Sequence, residues 1–319
     1  GLTEQWNFLD HSHPQALRGL NVLRVCREDL SAEEAQLLAQ ARARLLAARE
    51  RRVRPLRDEK VLASWNGLMC GALARAGRGL NLPEALAAAR RNAAFVRQHL
   101  WDAPRRRLHH RWRDGERDNA QLLKAYAYQA QGHLALYEAT LEPEALAFAE
   151  TLAEVMLERF HDPEQGGFWE SEAAPDLILR VKDSYDGAEP SGNSVAALAL
   201  LRLAQITGQE RYQEAAAGVL RLFYARMQKM PAAHANLWRA AALFVRPPLR
   251  LEIVGEPSAA DTQALLQAAH ETWVPWLVLA GRAAPGPACA HLCRGQSCGP
   301  RLTSAAAVQQ ALQEMRAGR

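Results

Sequence analysis

The sequence predicts a mainly α protein, an incomplete (α/α) toroid of helical hairpins with a small C-terminal α/β appendage. Three observations carry this. Ala/Leu-rich helical segments come in pairs, joined alternately by short turns and long polar loops. Landmarks in the long loops repeat, since Leu100-Trp101-Asp102 and Phe160-His161-Asp162 stand sixty positions apart, as do Leu108 and Phe168. Beyond residue 246 the texture changes to strand, helix, strand. Repetition at one helix pair per unit marks a helical array or a closed ring of hairpins. A nearly all-apolar helix alternating with a more amphipathic one suits two concentric layers, and a simple solenoid is the alternative.

The elements follow in order. Residues 1–30, with Pro14 and Gly19, read as an extended, irregular lead-in; residues 31–246 as the partial toroid; residues 247–319 as the appendage. Ser31 with Glu34 three residues on is a capping box, and Leu37, Leu38, Ala41, Leu45 and Leu46 continue its helix to near Arg52. The segment Val61 to Gly77 is apolar on nearly every side, so it is expected to be buried on most faces. Pro83 opens the next helix, where its missing N–H costs nothing. Further helices are expected at 119–140, 143–160, 192–207 and 209–229. The long loops 102–117 and 161–191 contain alternating stretches, Leu108 to Trp112 and Gly167 to Glu170, that could pair as small hairpins. After Arg246-Pro247-Pro248 come a strand at Leu249 to Val254, a helix at 258–270, a strand at Trp273 to Leu279 and a last helix at 304–316.

Bulk properties narrow the function classes. Hydrophobic residues make up 49% and charged residues 23% of 319, enough for a substantial core. The net charge of +4 resides largely in Arg42 to Arg57 and Arg105 to Arg113, without an aromatic-interleaved basic face, so no nucleic-acid partner is expected. No apolar run approaches the roughly 18 residues a spanning helix needs, so no membrane partner is expected either. The N-terminus has no basic-then-apolar export pattern. It begins with Gly1 rather than Met, which leaves open an upstream region carrying targeting information. Cys26, Cys70, Cys289, Cys293 and Cys298 lack paired zinc spacing; free thiols in a reducing cytoplasm are the expectation, with no metal and no cofactor. No Ser-His-Asp order, G-x-S-x-G elbow, P-loop or G-x-G-x-x-G occurs.

If the inner helices start at the end where the long loops lie, their first turns converge there. The candidate segments are Arg54 to Lys60 leading into Trp65 and Asn66, Asp114-Gly115 leading to Lys124 and Tyr126, and Arg180 to Ser194. Asp58, Asp183 and Asp186 are the acids available for hydrolysis, which needs two carboxylates across a sugar. His110 and His161, on the repeated loops, are the candidate bases for epimerisation. Lys60, Trp65, Asn66, Tyr126, Phe168, Arg180, Lys182, Ser191 and Asn193 are the candidate substrate-binding residues. The competing reading makes Asp186, Ser191 and Asn193 helix caps, gives Asn66 a neighbouring loop as partner, and places the aromatics in the core.

The chain also resembles a known family. Gly1-Leu-Thr-Glu-Gln-Trp-Asn-Phe8, Arg54-Pro-Leu-Arg-Asp-Glu-Lys-Val-Leu-Ala-Ser-Trp-Asn-Gly-Leu-Met69, Leu136-Tyr-Glu-Ala-Thr140, Gly166-Gly-Phe168, Lys182-Asp-Ser-Tyr-Asp-Gly-Ala-Glu-Pro-Ser-Gly-Asn-Ser194 and Cys293 to Pro300 stand in family order. They resemble the C-terminal portion of the thioredoxin-domain-containing proteins related to spermatogenesis-associated protein 20. The resemblance implies a toroid like those of six-hairpin glycosidases and N-acylglucosamine 2-epimerases, preceded in the parent family by a thioredoxin-like domain, which would be a partner of this region. It also implies an Asp-Asp-Tyr-Ala motif where this chain has Lys124-Ala125-Tyr126-Ala127. A full ring takes more helices than the helical part of this chain supplies. A carbohydrate-related toroid binding a small sugar or an oligosaccharide is therefore expected, a glycoside hydrolase or sugar 2-epimerase if active. The alternatives are a non-catalytic glycan-binding or interaction scaffold and an inactive fragment.

Overall fold

The computed structural model describes residues 8–10, 17–24, 27, 29–175, 177–246, 248–295 and 297–317. Pro14, Cys26, Pro247 and the Gly1–Asn7 part of the first family-like segment lie outside the described residues. The chain divides into two compact units, residues 1–58 and 59–319.

In the first unit the expected irregular lead-in contains an antiparallel pair, β1 (Phe8–Asp10) and β2 (Leu17–Leu20). Helix α1 (Ala32–Glu50) starts with the expected capping box: Ser31 Oγ accepts from Glu34 N at 3.2 Å, and Glu34 Oε2 accepts from Ser31 N at 2.9 Å. None of its residues is buried, because Leu37, Leu45 and Leu46 are spread among arginines rather than gathered into a stripe.

The second unit holds the hairpins. β3 (Val61–Leu62) leads into α2 (Ala63–Gly79), which pairs with α3 (Pro83–His99). The first long loop forms β4 (Trp101–Asp102) with β5 (Arg107–Leu108), then β6 (Arg111–Arg113) with β7 (Glu116–Arg117). Helices α4 (Leu123–Thr140) and α5 (Pro143–Arg159) form the next pair, then α6 (Gly192–Thr207) and α7 (Glu210–Lys229), and after a 3-10 turn α8 (Ala235–Val245). The sixty-residue repeat survives as backbone geometry: Trp101 pairs with Leu108, and His161 pairs with Phe168. In the second loop this is an isolated bridge rather than the expected hairpin.

Helices α2, α4, α6 and α8 form the inner layer of an incomplete toroid, and α3, α5 and α7 the outer layer. Burial follows position. Nearly every residue of α4 is buried, as is α6 from Gly192 to Leu201. The expectation for α2 is reversed. It buries Ala63, Ser64, Gly67, Cys70, Gly71, Ala74 and Gly77, while Trp65 and Met69 stay more than half exposed. The cause is close approach. A Cβ on Gly132 would lie 2.4 Å from the Gly67 carbonyl oxygen, and one on Gly67 would lie 2.5 Å from the Tyr128 carbonyl. Two helices meeting backbone to backbone select small residues for the seam and turn large ones outward.

The appendage is a four-stranded sheet of order β11-β10-β8-β9. β8 (Leu249–Val254) and β9 (Leu277–Arg282) run parallel across α9 (Ala260–Glu271), as the strand-helix-strand texture implied. The second strand starts later than expected, leaving Trp273 exposed. The cysteine-bearing stretch, given no strand from its pattern, forms β10 (Cys289–Arg294) and β11 (Ser297–Cys298). Their register sets Cys293 opposite Cys298, and the two form a disulfide, which corrects the expectation of free thiols there. Cys70 and Cys289 are free and buried. Helix α10 (Ala305–Ala317) packs on α9.

No helix among the described residues is long and apolar enough to cross a membrane.

Candidate functional site

Inner helices separated by antiparallel outer ones all run the same way, so their N-termini share one end. There Trp65, in the first turn of α2, donates its indole N–H to Glu189 at 2.7 Å. Lys124, in the first turn of α4, lies 3.8 Å from the same carboxylate. Tyr128, one turn on, donates its hydroxyl to the Pro190 carbonyl just before α6. Three first turns and the 161–191 loop thus converge, as the long-loop argument expected.

This loop end is electronegative. Burial raises the Tyr128 phenol, and the charges of Glu189, Glu170, Asp186 and Asp183 raise it further. Glu170 stands out among these. Its backbone is fixed from two sides, its carbonyl accepting from Leu123 N at 3.0 Å and its N–H donating to Val181 O at 2.9 Å. This places the side chain in a half-buried niche under the α6 N-terminus, 3.4 Å from Asn193 Nδ2. Burial, then the neighbouring charge of Asp183, pushes its carboxyl up to about 7; Lys124, a backbone hydrogen bond and Asn193 only partly oppose them. Desolvation beside a like charge disfavours the ionised form, so Glu170 holds a proton near neutrality.

The sequence-predicted residues divide. Asp183 sits half-buried beside Glu170, accepting from Tyr185 N at 3.0 Å. Trp65 keeps an open indole. Asp186, however, is a clasp: it accepts from Ser191 N at 2.9 Å, Ser194 Oγ at 2.6 Å and Asn236 N at 2.7 Å, tying the starts of α6 and α8 together. Ser191 is fully buried and caps α6 through Ser194 N at 3.1 Å. Asn193, also fully buried, accepts from Phe168 N at 2.7 Å and donates to the carbonyls of Phe168 and Asp183, each at 2.9 Å. It therefore positions the loop carrying Glu170 and Asp183 rather than facing a ligand.

Phe168 is core, not platform. Tyr126 is fully buried, its hydroxyl accepting from Leu108 N at 2.9 Å and donating to Gln121 at 2.5 Å. Asn66 donates to Leu62 O at 2.9 Å and accepts from Asn92 at 2.7 Å, so its partners are its own preceding turn and helix α3 rather than a neighbouring loop. Lys182 bonds Asp162 at 2.7 Å and the Gly166 carbonyl at 2.8 Å, while Arg180 bonds the Ser171 carbonyl at 2.9 Å. Both cations also lie against the Trp169 ring, 5.0 Å (Arg180) and 4.4 Å (Lys182) from its centre. His161 packs against Phe168 and burial lowers its pKa. His110 takes its place through its backbone, its carbonyl accepting from Ala63 N at 2.9 Å, and its Nδ1 is buried without a partner among the described residues. Asp58 belongs to the first unit and is not assigned to this site; Lys60 stands at the start of the second, just before β3.

Sequence reasoning missed Glu170, Glu189 and Tyr128. The sixty-residue offset was a usable signal for the first, since it sets Glu170 on the position of His110. Among the described residues no cluster of three or more His, Cys, Asp or Glu could hold a metal ion.

No protein-family profile matches the chain. Among solved structures, an α-mannanase of glycoside hydrolase family 76 from Bacteroides thetaiotaomicron is similar with a TM-score of 0.49 and 14% identity, over 82% of this chain and 70% of that one. A cellobiose 2-epimerase from Bacillus thermoamylovorans is similar with a TM-score of 0.45 and 18% identity, over 52% of this chain and 45% of the other. These are likenesses of helical arrangement, and no residue role is taken from them. In sequence, the chain is 36% identical to mouse spermatogenesis-associated protein 20 over 299 residues and 35% identical to the human protein over the same length, 88% of this chain in each case. It spans 38% of the length of each of those relatives. On this identity and coverage, the chain belongs to the family of spermatogenesis-associated protein 20.

Proposed function

We propose that the loop end of the inner helices is a sugar-binding cleft carrying an acid–base pair, the kind of site a glycoside hydrolase or a sugar epimerase uses. One observation carries this reading: Glu170 is held near pKa 7 beside a second carboxylate, Asp183. Two carboxyl groups whose surroundings separate their proton affinities can divide the roles of acid and base at neutral pH. Protonated Glu170 would donate to a leaving or carbonyl oxygen, and the Asp183 carboxylate beside it would accept a proton from water or from the sugar. The exposed face of Trp65, with its N–H held by Glu189, suits an apolar sugar face.

A second reading, a non-catalytic glycan-binding or interaction scaffold, is favoured by Lys124 standing where the family resemblance implies an acid. Its ion pair with Glu189 neutralises part of the cleft. A thioredoxin-like partner domain completes the proposal on the strength of the resemblance.

The test is a thermal-shift screen of the purified chain with mono- and disaccharides, followed by turnover assays, on wild type, Trp65→Ala and Glu170→Gln. Binding lost in Trp65→Ala, with turnover lost but binding kept in Glu170→Gln, is the expected result. Binding without turnover in wild type selects the scaffold. No shift with any sugar, from folded protein, overturns both sugar readings.

A further inference from the structure

A cavity of about 680 Å³ lies between the inner helices and the appendage, away from the loop end. Its wall carries three guanidiniums, Arg75 from α2, Arg202 from α6 and Arg239 from α8, against a single carboxylate, Glu138 from α4. That carboxylate is already engaged. It accepts from Arg202 Nη2 and, at 3.2 Å, from the Leu279 backbone N–H.

The remaining two cations are not neutralised by it. Arg239 bonds the neutral Asn236 side chain at 2.7 Å. Arg75 makes no hydrogen bond or ion pair with any described residue. Its side chain is open to the cavity, yet protein surrounds it closely enough that burial, then the charges of Arg202 and Arg239, lowers its pKa, against a smaller opposing effect of Glu138. Arginines near helix ends often serve only to bond terminal carbonyls. Here that duty belongs to Arg78, whose Nε donates to Ala139 O at 2.5 Å. Three cations held together with one carboxylate between them repel one another, and the arrangement becomes more favourable when a ligand supplies further negative charge. The rest of the wall is apolar and aromatic, with Leu198, Leu243 and Trp276 prominent.

We propose that this cavity binds an organic phosphate monoester, its dianion between Arg75 and Arg239 and its carbon body against Leu243 and Trp276. Guanidinium forks match phosphate oxygens two at a time, and two of them balance a dianion. The site stands apart from the sugar reading and does not depend on it.

Isothermal titration calorimetry at constant ionic strength tests this, with glucose 6-phosphate, inorganic phosphate and glucose as probes. Glucose 6-phosphate is expected to bind wild type, and Arg75→Ala or Arg239→Ala to weaken it at least about tenfold each, without a change in melting temperature in the absence of ligand. Arg75→Lys should recover part of the loss. Weaker binding of inorganic phosphate would assign the carbon body its share, and equal binding would overturn that half of the proposal. Absence of binding by both phosphates, or binding unchanged in the Arg75→Ala/Arg239→Ala double variant, would overturn the site. Any glucose binding must be insensitive to both arginine variants, which separates this cavity from the loop-end cleft.

Discussion

Replacing Glu170 with glutamine isolates the group on which the acid–base reading depends. Raising a carboxyl from 4.5 to about 7 corresponds to about 3 kcal/mol, at about 1.4 kcal/mol per tenfold change in proton affinity. The sign follows from linkage. In the folded chain Glu170 binds its proton more tightly than in the unfolded chain, so below about 4.5 the group is protonated in both states and costs nothing. Between about 4.5 and about 7 the unfolded state ionises first, and the folded state loses stability as pH rises. Above about 7 the full penalty applies. The glutamine of the Glu170→Gln variant has no such titration and can still accept from Asn193. Urea unfolding of both proteins at pH 5, 6, 7 and 8 should therefore show the variant near wild type at pH 5. It should gain about 2–3 kcal/mol relative to wild type by pH 8. A stability difference that does not change with pH would refute the raised pKa and with it the proton donor at neutral pH.

Other perturbations read the scaffold. Gly132→Ala places a methyl 2.4 Å from the Gly67 carbonyl oxygen and should cost about 3 kcal/mol by forcing α2 from α4, seen as a lower urea midpoint. Asp186→Ala removes acceptors from Ser191 N, Ser194 Oγ and Asn236 N, for a loss of about 3 kcal/mol; a variant as stable as wild type would show that the clasp does not hold α6 to α8. The Cys293–Cys298 bond closes a short loop, so its reduction should cost only about 2 kcal/mol. Thiol titration in denaturant should find two more thiols after reduction than before, and an equal count would refute the bond.

What the sequence alone determined was local and periodic. Helix spacing, the Ser31 capping box, the Pro83 start and the strand-helix-strand texture after residue 246 each depend on residues a few positions apart. The sixty-residue repeat located both long loops and hence the end of the ring where a site could form. Motif order identified the family, because long shared segments need no knowledge of packing.

Tertiary structure alone decided which face of an apolar helix is buried and which polar groups meet. Nothing in the composition of α2 says that its glycines and alanines, rather than Trp65 and Met69, form the seam; that is set by the backbone of α4 approaching Gly67. Asp183 and Asp186 are three positions apart and look equivalent, yet one stands beside Glu170 and the other has its oxygens occupied by the starts of α6 and α8. Glu189 meets Trp65 across 124 positions. Arg75, Arg202 and Arg239 come from three different helices to one wall. A carboxyl's proton affinity and a guanidinium's partners depend on distances in space and on exclusion of water, and neither is encoded in spacing along the chain.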